Sequence, residues 1–138
     1  MNFSKLIFTF LFVNVLSLDV SAQENQATTG LHPKAATFAL EVYQDVTEYQ
    51  TSTYLLEYSE RIQRVSVVNV GSEASNYPSL ETVGLRDKYN PNLKIDKEGF
   101  DPLYFNPIKY HFEFNNTEVQ KFRIGNSGYI VVIDSFHN

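Results

Sequence analysis

The residues that could do chemistry are few and scattered. His32, His111 and His137 lie far apart, with no His-x-His or His-Glu-x-x-His spacing. A metal site needs three or four convergent ligands, so no metal is expected. His32 reads as a turn residue, His111 as a strand-surface residue and His137 as part of the chain end. Glu41, Asp45 and Glu48 fall on one helical flank at i, i+4 and i+7. An acid–base pair needs a cleft and one raised pKa, whereas this spacing describes a solvated helix face. The run Asp96-Lys97-Glu98-Gly99-Phe100-Asp101 sets acidic residues around a glycine, as calcium loops do. The twelfth position from Asp96, where such a loop needs a bidentate Glu, is Pro107. Gly125-Asn126-Ser127-Gly128 joins strand to strand, whereas a nucleophile elbow joins strand to helix, so Ser127 reads as a turn residue. No glycine-rich phosphate loop occurs. With no Cys in the chain, disulfide scaffolds, Cys-ligated zinc, iron–sulfur clusters and thiol nucleophiles are excluded. No catalytic residue and no cofactor is expected.

Aromatic content is the one compositional excess. Phe100, Tyr104, Phe105, Tyr110, Phe112 and Phe114 crowd one stretch of a chain that is 14% aromatic and has no Trp. Most of these rings should fill the core. Tyrosines left outside it could meet a protein or carbohydrate partner, because Tyr is enriched at interfaces. Lys121 and Arg123 share the wet face of a strand and could meet an anionic group; guarding a sheet edge is their commoner use. Tyr104, Tyr110, Lys121 and Arg123 are therefore the expected ligand or partner contacts.

These side chains need a scaffold, and 138 residues with 43% hydrophobic content make one domain. The formal net charge of −5 argues against a nucleic-acid partner, which would call for a basic surface. Residues 1–22 have the layout of a secretory leader. Lys5 gives the positive start, residues 6–18 the apolar stretch, and Val20-Ser21-Ala22 a cleavage site after Ala22. As a helix the apolar stretch rises only about 20 Å, short of the roughly 30 Å hydrocarbon core. No membrane span is expected after cleavage. Residues 23–33 read as a flexible tail and 34–138 as a single globular domain. A Cys-free chain in an oxidising compartment fits a bacterial envelope protein, periplasmic or secreted.

Phe38, Ala39, Val42, Val46 and Tyr49 recur at helical spacing. Thr51-Ser52-Thr53 interrupts the pattern, and Leu55, Tyr58, Ile62 and Val65 restart it, which predicts a second helix over 53–62 with a kink or turn between. Glu57–Arg61 and Glu60–Arg64 are favourable i,i+4 pairs. Residues 64–70 form a β-branched strand stopped by Gly71. Residues 72–106 lose all periodicity but keep scattered apolar anchors, so they should wrap the core. Asn90-Pro91, Asp101-Pro102 and Asn106-Pro107 each set a capping side chain before a proline and predict single turns. Tyr110, Phe112 and Phe114 alternate with His111 and Glu113 as in a half-buried strand. Residues 121–133 form a β-hairpin whose second arm, apolar on both faces, should be an interior strand. The expected class is α+β: an N-terminal helix or kinked helix pair packed on an antiparallel sheet of about four strands.

A helix wrapped by a sheet is similar in outline to the cystatin-like architecture. The cystatin inhibitory loop runs Gln-x-Val-x-Gly; Val67-Val68-Asn69-Val70-Gly71 departs from it, so no inhibitory residue carries over. Residues 85–93 (LRDKYNPNL), 100–110 (FDPLYFNPIKY) and 121–133 (KFRIGNSGYIVVI) resemble small secreted proteins of Bacteroidetes-type bacteria with no assigned activity. That resemblance implies a compartment and no site. The expected function is a non-catalytic binding module with a protein or carbohydrate partner in the cell envelope. One alternative is an envelope or assembly component acting by strand addition at an open sheet edge. Another is a small hydrolase using carboxylates such as Asp96, Asp101 and Glu113.

Overall fold

The computed structural model describes residues 30–137. The expected leader and most of the expected tail lie outside these residues. The placed part of the tail is tied down: the His32 N–H donates to Ser59 Oγ at 2.7 Å.

Helix α1 spans Ala35–Tyr43 and buries Phe38, Ala39 and Val42. It is shorter than its apolar period implied, because Gln44 turns the chain at φ 51°. The Gln44 side chain compensates by donating to the Glu41 carbonyl at 3.1 Å. A short 3-10 turn, Thr47–Gln50, leads to α2, Ser52–Gln63. The Glu57–Arg61 pair forms. Arg64 instead donates to the Asp134 carbonyl at 2.8 Å. The two helices close around a cluster that includes Phe38, Val42, Tyr58 and Ile62. Tyr43 stacks on Tyr49 at 4.2 Å and on Tyr58 at 5.8 Å. The Tyr58 hydroxyl is buried without a partner among the described residues, and burial pushes its pKa up.

Strands β1 (Val65–Asn69), β2 (Gln120–Arg123) and β3 (Tyr129–Ile133) form an antiparallel sheet in the order β1-β3-β2. The fold class is α+β. The hairpin's second arm is the central strand, and its Ile130, Val131 and Ile133 are buried. Each such side chain contributes about 1.5–3 kcal/mol over its exposed state. Val131 and Ile133 join Leu80, Phe105, Tyr110, Phe112, Phe114 and Ile124 in a second cluster. Leu85 packs against both clusters and joins them.

Three strands form among the described residues. Tyr110, Phe112 and Phe114 point inward as their alternation predicts, but their backbone makes only one isolated bridge, Leu85 to Tyr110. Residues 72–106 pack on the core through separate anchors, Leu80, Leu93 and Phe105 among them, joined by short turns. Asp101 and Asn106 cap the turns Pro102–Tyr104 and Pro107–Lys109, each accepting the N–H two residues on.

The ladder's hydrogen bonds decide which groups face outward. The Val70 N–H donates to the Gly128 carbonyl and the Asp134 N–H to the Arg64 carbonyl, both at 2.9 Å. Antiparallel pairs alternate, so Ser66 and Val68 bond to β3. Val65, Val67 and Asn69 therefore turn their N–H and C=O groups away from the sheet. On the far side the Ile124 N–H donates to the Tyr129 carbonyl at 3.0 Å. By the same alternation Lys121 and Arg123 face outward from β2.

Candidate functional site

The outer edge of β1 has no neighbouring strand among the described residues. Its sequence, VSVVN, carries no charge and no proline. A cleft of about 300 Å³ lies against it. Val65 and Val67 form one wall, Phe38 and Ile62 come from the helices, and Leu103 and Phe105 come from the wrapping segment. His32 and Lys34 complete the lining.

Local chemistry holds each wall. Asn106 is buried and fully used. Its Oδ1 accepts from the Ile108 N–H at 2.9 Å, and its Nδ2 donates to the Phe38 carbonyl at 3.0 Å and to Glu41 Oε2 at 2.8 Å. One side chain thus fastens the 102–109 turns to α1. Asp101 Oδ1 caps the Leu103 N–H at 2.9 Å and presents Leu103 and Tyr104 to solvent, each 71% exposed. Lys34 Nζ donates to the Leu103 carbonyl and lies 5.4 Å from the Tyr104 ring centre. His32 Nδ1 accepts from the Lys34 N–H at 3.2 Å. Burial, and then the Lys34 charge, lower the His32 pKa below its ordinary 6.5.

The four residues expected as contacts do not converge. Tyr104 sits on the exposed turn beside the β1 cleft. Tyr110 is fully buried, which corrects its expected role as a surface contact. Its hydroxyl donates to Asp96 Oδ2 at 2.6 Å and accepts from the Asp96 N–H at 2.8 Å. Burial, then the Asp96 carboxylate, pushes its pKa far up. Lys121 and Arg123 lie at the opposite sheet edge. Arg123 gives its N–H to the Pro78 carbonyl at 2.8 Å and its Nη1 to the Tyr77 carbonyl at 2.9 Å. Lys121 Nζ lies 5.8 Å from the Tyr77 ring centre.

The carboxylates weighed for hydrolysis are also apart. Asp96 borders one cleft and Glu113 another, while Asp101 is spent as a cap. Asp96 is held by Lys109, whose Nζ sits 2.9 Å from Oδ2 and donates to the Lys94 carbonyl at 2.8 Å. Lys109 is buried, and no sequence motif marked it. Among the described residues no group of three or more His, Asp or Glu is placed to hold a metal ion. No helix there is long and apolar enough to cross a membrane.

An open edge is among the sequence expectations, but which strand carries it is not, because strand order depends on distant pairings. The one local hint is the uncharged β1 itself, set against the Lys and Arg of β2. Comparison with known proteins gave no matching family model, no matching curated protein and no matching solved structure.

Proposed function

We propose that this chain is an exported, non-catalytic recognition module that takes an extended stretch of a partner polypeptide along β1. One observation carries the reading: three consecutive outward-facing positions, Val65, Val67 and Asn69, lie on an uncharged edge strand lined by an apolar cleft. Outward N–H and C=O groups bind any extended backbone, and a neighbouring pocket selects side chains. Protected edges carry lysine, proline or a covering segment; β1 carries neither residue, and among the described residues no strand covers it. The favoured occupant has β-branched or other apolar residues at alternate positions, seated against Val65, Val67 and Phe105. With it bound, the three-stranded sheet gains a fourth strand, supplied in trans. Tyr104 and Leu103 then border the bound segment. The leader pattern of residues 1–22 supports a periplasmic or secreted location, and the resemblance to secreted Bacteroidetes-type proteins points the same way.

The test is residue-resolved amide exchange on the exported protein with a hexapeptide of alternating Val and Thr. Binding should slow exchange at Val65, Val67 and Asn69 at least tenfold. The same peptide N-methylated at alternate residues should leave them unchanged. Slowing on raising protein concentration alone would make a second copy the occupant. A bound peptide that leaves all three amides unprotected overturns the reading. Intact mass of natively produced material should begin at Gln23; retention of Met1 would remove the exported location.

A further inference from the structure

A second cleft, of about 270 Å³, lies where α1, the turn after it and residues 85–89 meet. It shares no lining residue with the β1 cleft. Its apolar wall is made by Tyr43, Tyr49, Tyr89 and Leu85. The Tyr49 and Tyr89 rings lie 5.5 Å apart at 53°, and their hydroxyls are 3.4 Å apart.

Arg86 lines this cleft and the neighbouring one that Glu113 borders, and its terminal nitrogens make no hydrogen bond among the described residues. Its N–H donates to the Lys109 carbonyl at 2.8 Å and its Nε to the Tyr110 carbonyl at 3.0 Å. These two bonds fix the guanidinium from behind. The side chain makes no ion pair among the described residues, and Glu113, across a neighbouring cleft, lies beyond ion-pairing distance. Lys88 adds a second positive charge, with Nζ 4.9 Å from the Tyr89 ring centre, and Asp87 is the one carboxylate in the lining. The lining itself thus carries two positive charges against one negative, with the Glu48 carboxylate near the outer tyrosines, on a chain of net charge −5.

We infer that this cleft binds a small ring molecule bearing a carboxylate. The ring lies on the tyrosine and leucine wall, and the carboxylate takes the two free terminal nitrogens of Arg86. A fixed guanidinium fork matches a carboxylate bidentately, which an ammonium does not. At roughly 30 Å³ per water, the space holds about nine waters' volume, the size of one substituted ring. A uronic acid and an aryl carboxylate share this chemistry.

The test is an amide and Arg Nε–H chemical-shift titration with glucuronate, phenylacetate, glucose, phenylacetamide and acetate. At least one ring carboxylate should move the Arg86 Nε–H and the amides of residues 85–89. Its neutral counterpart and acetate should bind at least tenfold more weakly. Glucuronate ahead of phenylacetate identifies a sugar acid, and the reverse identifies an aryl acid. Arg86→Gln should lower ring-carboxylate affinity at least tenfold while leaving peptide protection at Val65 and Val67 intact. Should that variant not fold, Arg86→Lys, which keeps the charge without the fork, should give the same loss. Neutral rings or acetate binding as tightly as the ring carboxylates, or no shift with any probe, overturns the inference. Because the two clefts share no residue, this outcome is independent of what happens at β1.

Discussion

The sheet has two edges, and they are treated differently. At β2 the two outward residues are Lys121 and Arg123. Arg123 is covered by the Pro78 carbonyl, bridged to Ser79 and anchored through Tyr77. At β1 three outward residues are uncharged and have no neighbouring strand among the described residues, beside a largely apolar cleft. Both edges belong to one three-stranded sheet and flank the same central strand, so sheet geometry does not impose the difference. Charge and a covering segment close one side, and among the described residues neither does so on the other.

Four perturbations would break or sharpen that contrast. The largest effect is expected from moving a proline along β1. Ser66→Pro removes an N–H that bonds to β3 and should cost about 3 kcal/mol or more, read as a lost or much lower thermal transition. Val67→Pro removes an outward N–H and is the kind of proline that edge strands accept. It should keep the transition within a few degrees yet weaken peptide binding at least tenfold. Equal damage from both prolines would mean that β1 is not open. Next in size is Arg123→Ala, which removes the bond to Tyr77 and loosens the cover on β2. It should destabilise by about 1 kcal/mol, measured by urea unfolding. Smaller still in stability is Val68→Lys, which places a guarding charge on the open strand. Stability should stay within about 0.5 kcal/mol, while peptide binding or self-association falls.

The smallest effect is a separation in pH. Folding lowers the His32 pKa, so the unfolded chain binds more protons as pH falls below about 6.5, and folded stability declines in that window. Its imidazole accepts the Lys34 N–H beside the β1 cleft, so exchange there should quicken first. Glu98 holds the opposite hairpin. Its own N–H and then that of Asn126 stabilise the carboxylate and lower its pKa below the ordinary 4.5. Stability from that contact is present above this value and is lost only as pH falls further. Residue-resolved exchange from pH 7.5 to 4 should therefore loosen the β1 side before the hairpin. His32→Gln should erase the earlier step.

Local chemistry was legible in the sequence and non-local pairing was not. The two helices, the 65–69 strand and the hairpin follow from periodicity and turn residues. Asp101 and Asn106 were readable as caps because a short polar side chain before proline acts within two residues. The alternation Tyr110, Phe112, Phe114 correctly encodes which side faces the core. It carries no information on whether a strand lies alongside, and only Leu85 bridges to it. For the same reason the sequence does not show that Tyr110 is buried: its ring packs on Phe105 and Phe112, and the partner of its hydroxyl, Asp96, lies fourteen residues upstream. The bare edge and the free fork of Arg86 depend on what fails to arrive beside them, and no window of sequence contains that.

Lys109 offers a practical handle on the wrapping segment. Its amine is buried between Asp96 and the Lys94 carbonyl, so an acylating reagent can reach it only when that node opens. Its labelling rate, set against that of solvent-facing Lys121, would serve as a clock for how often the 94–110 strap lifts from the body of the protein.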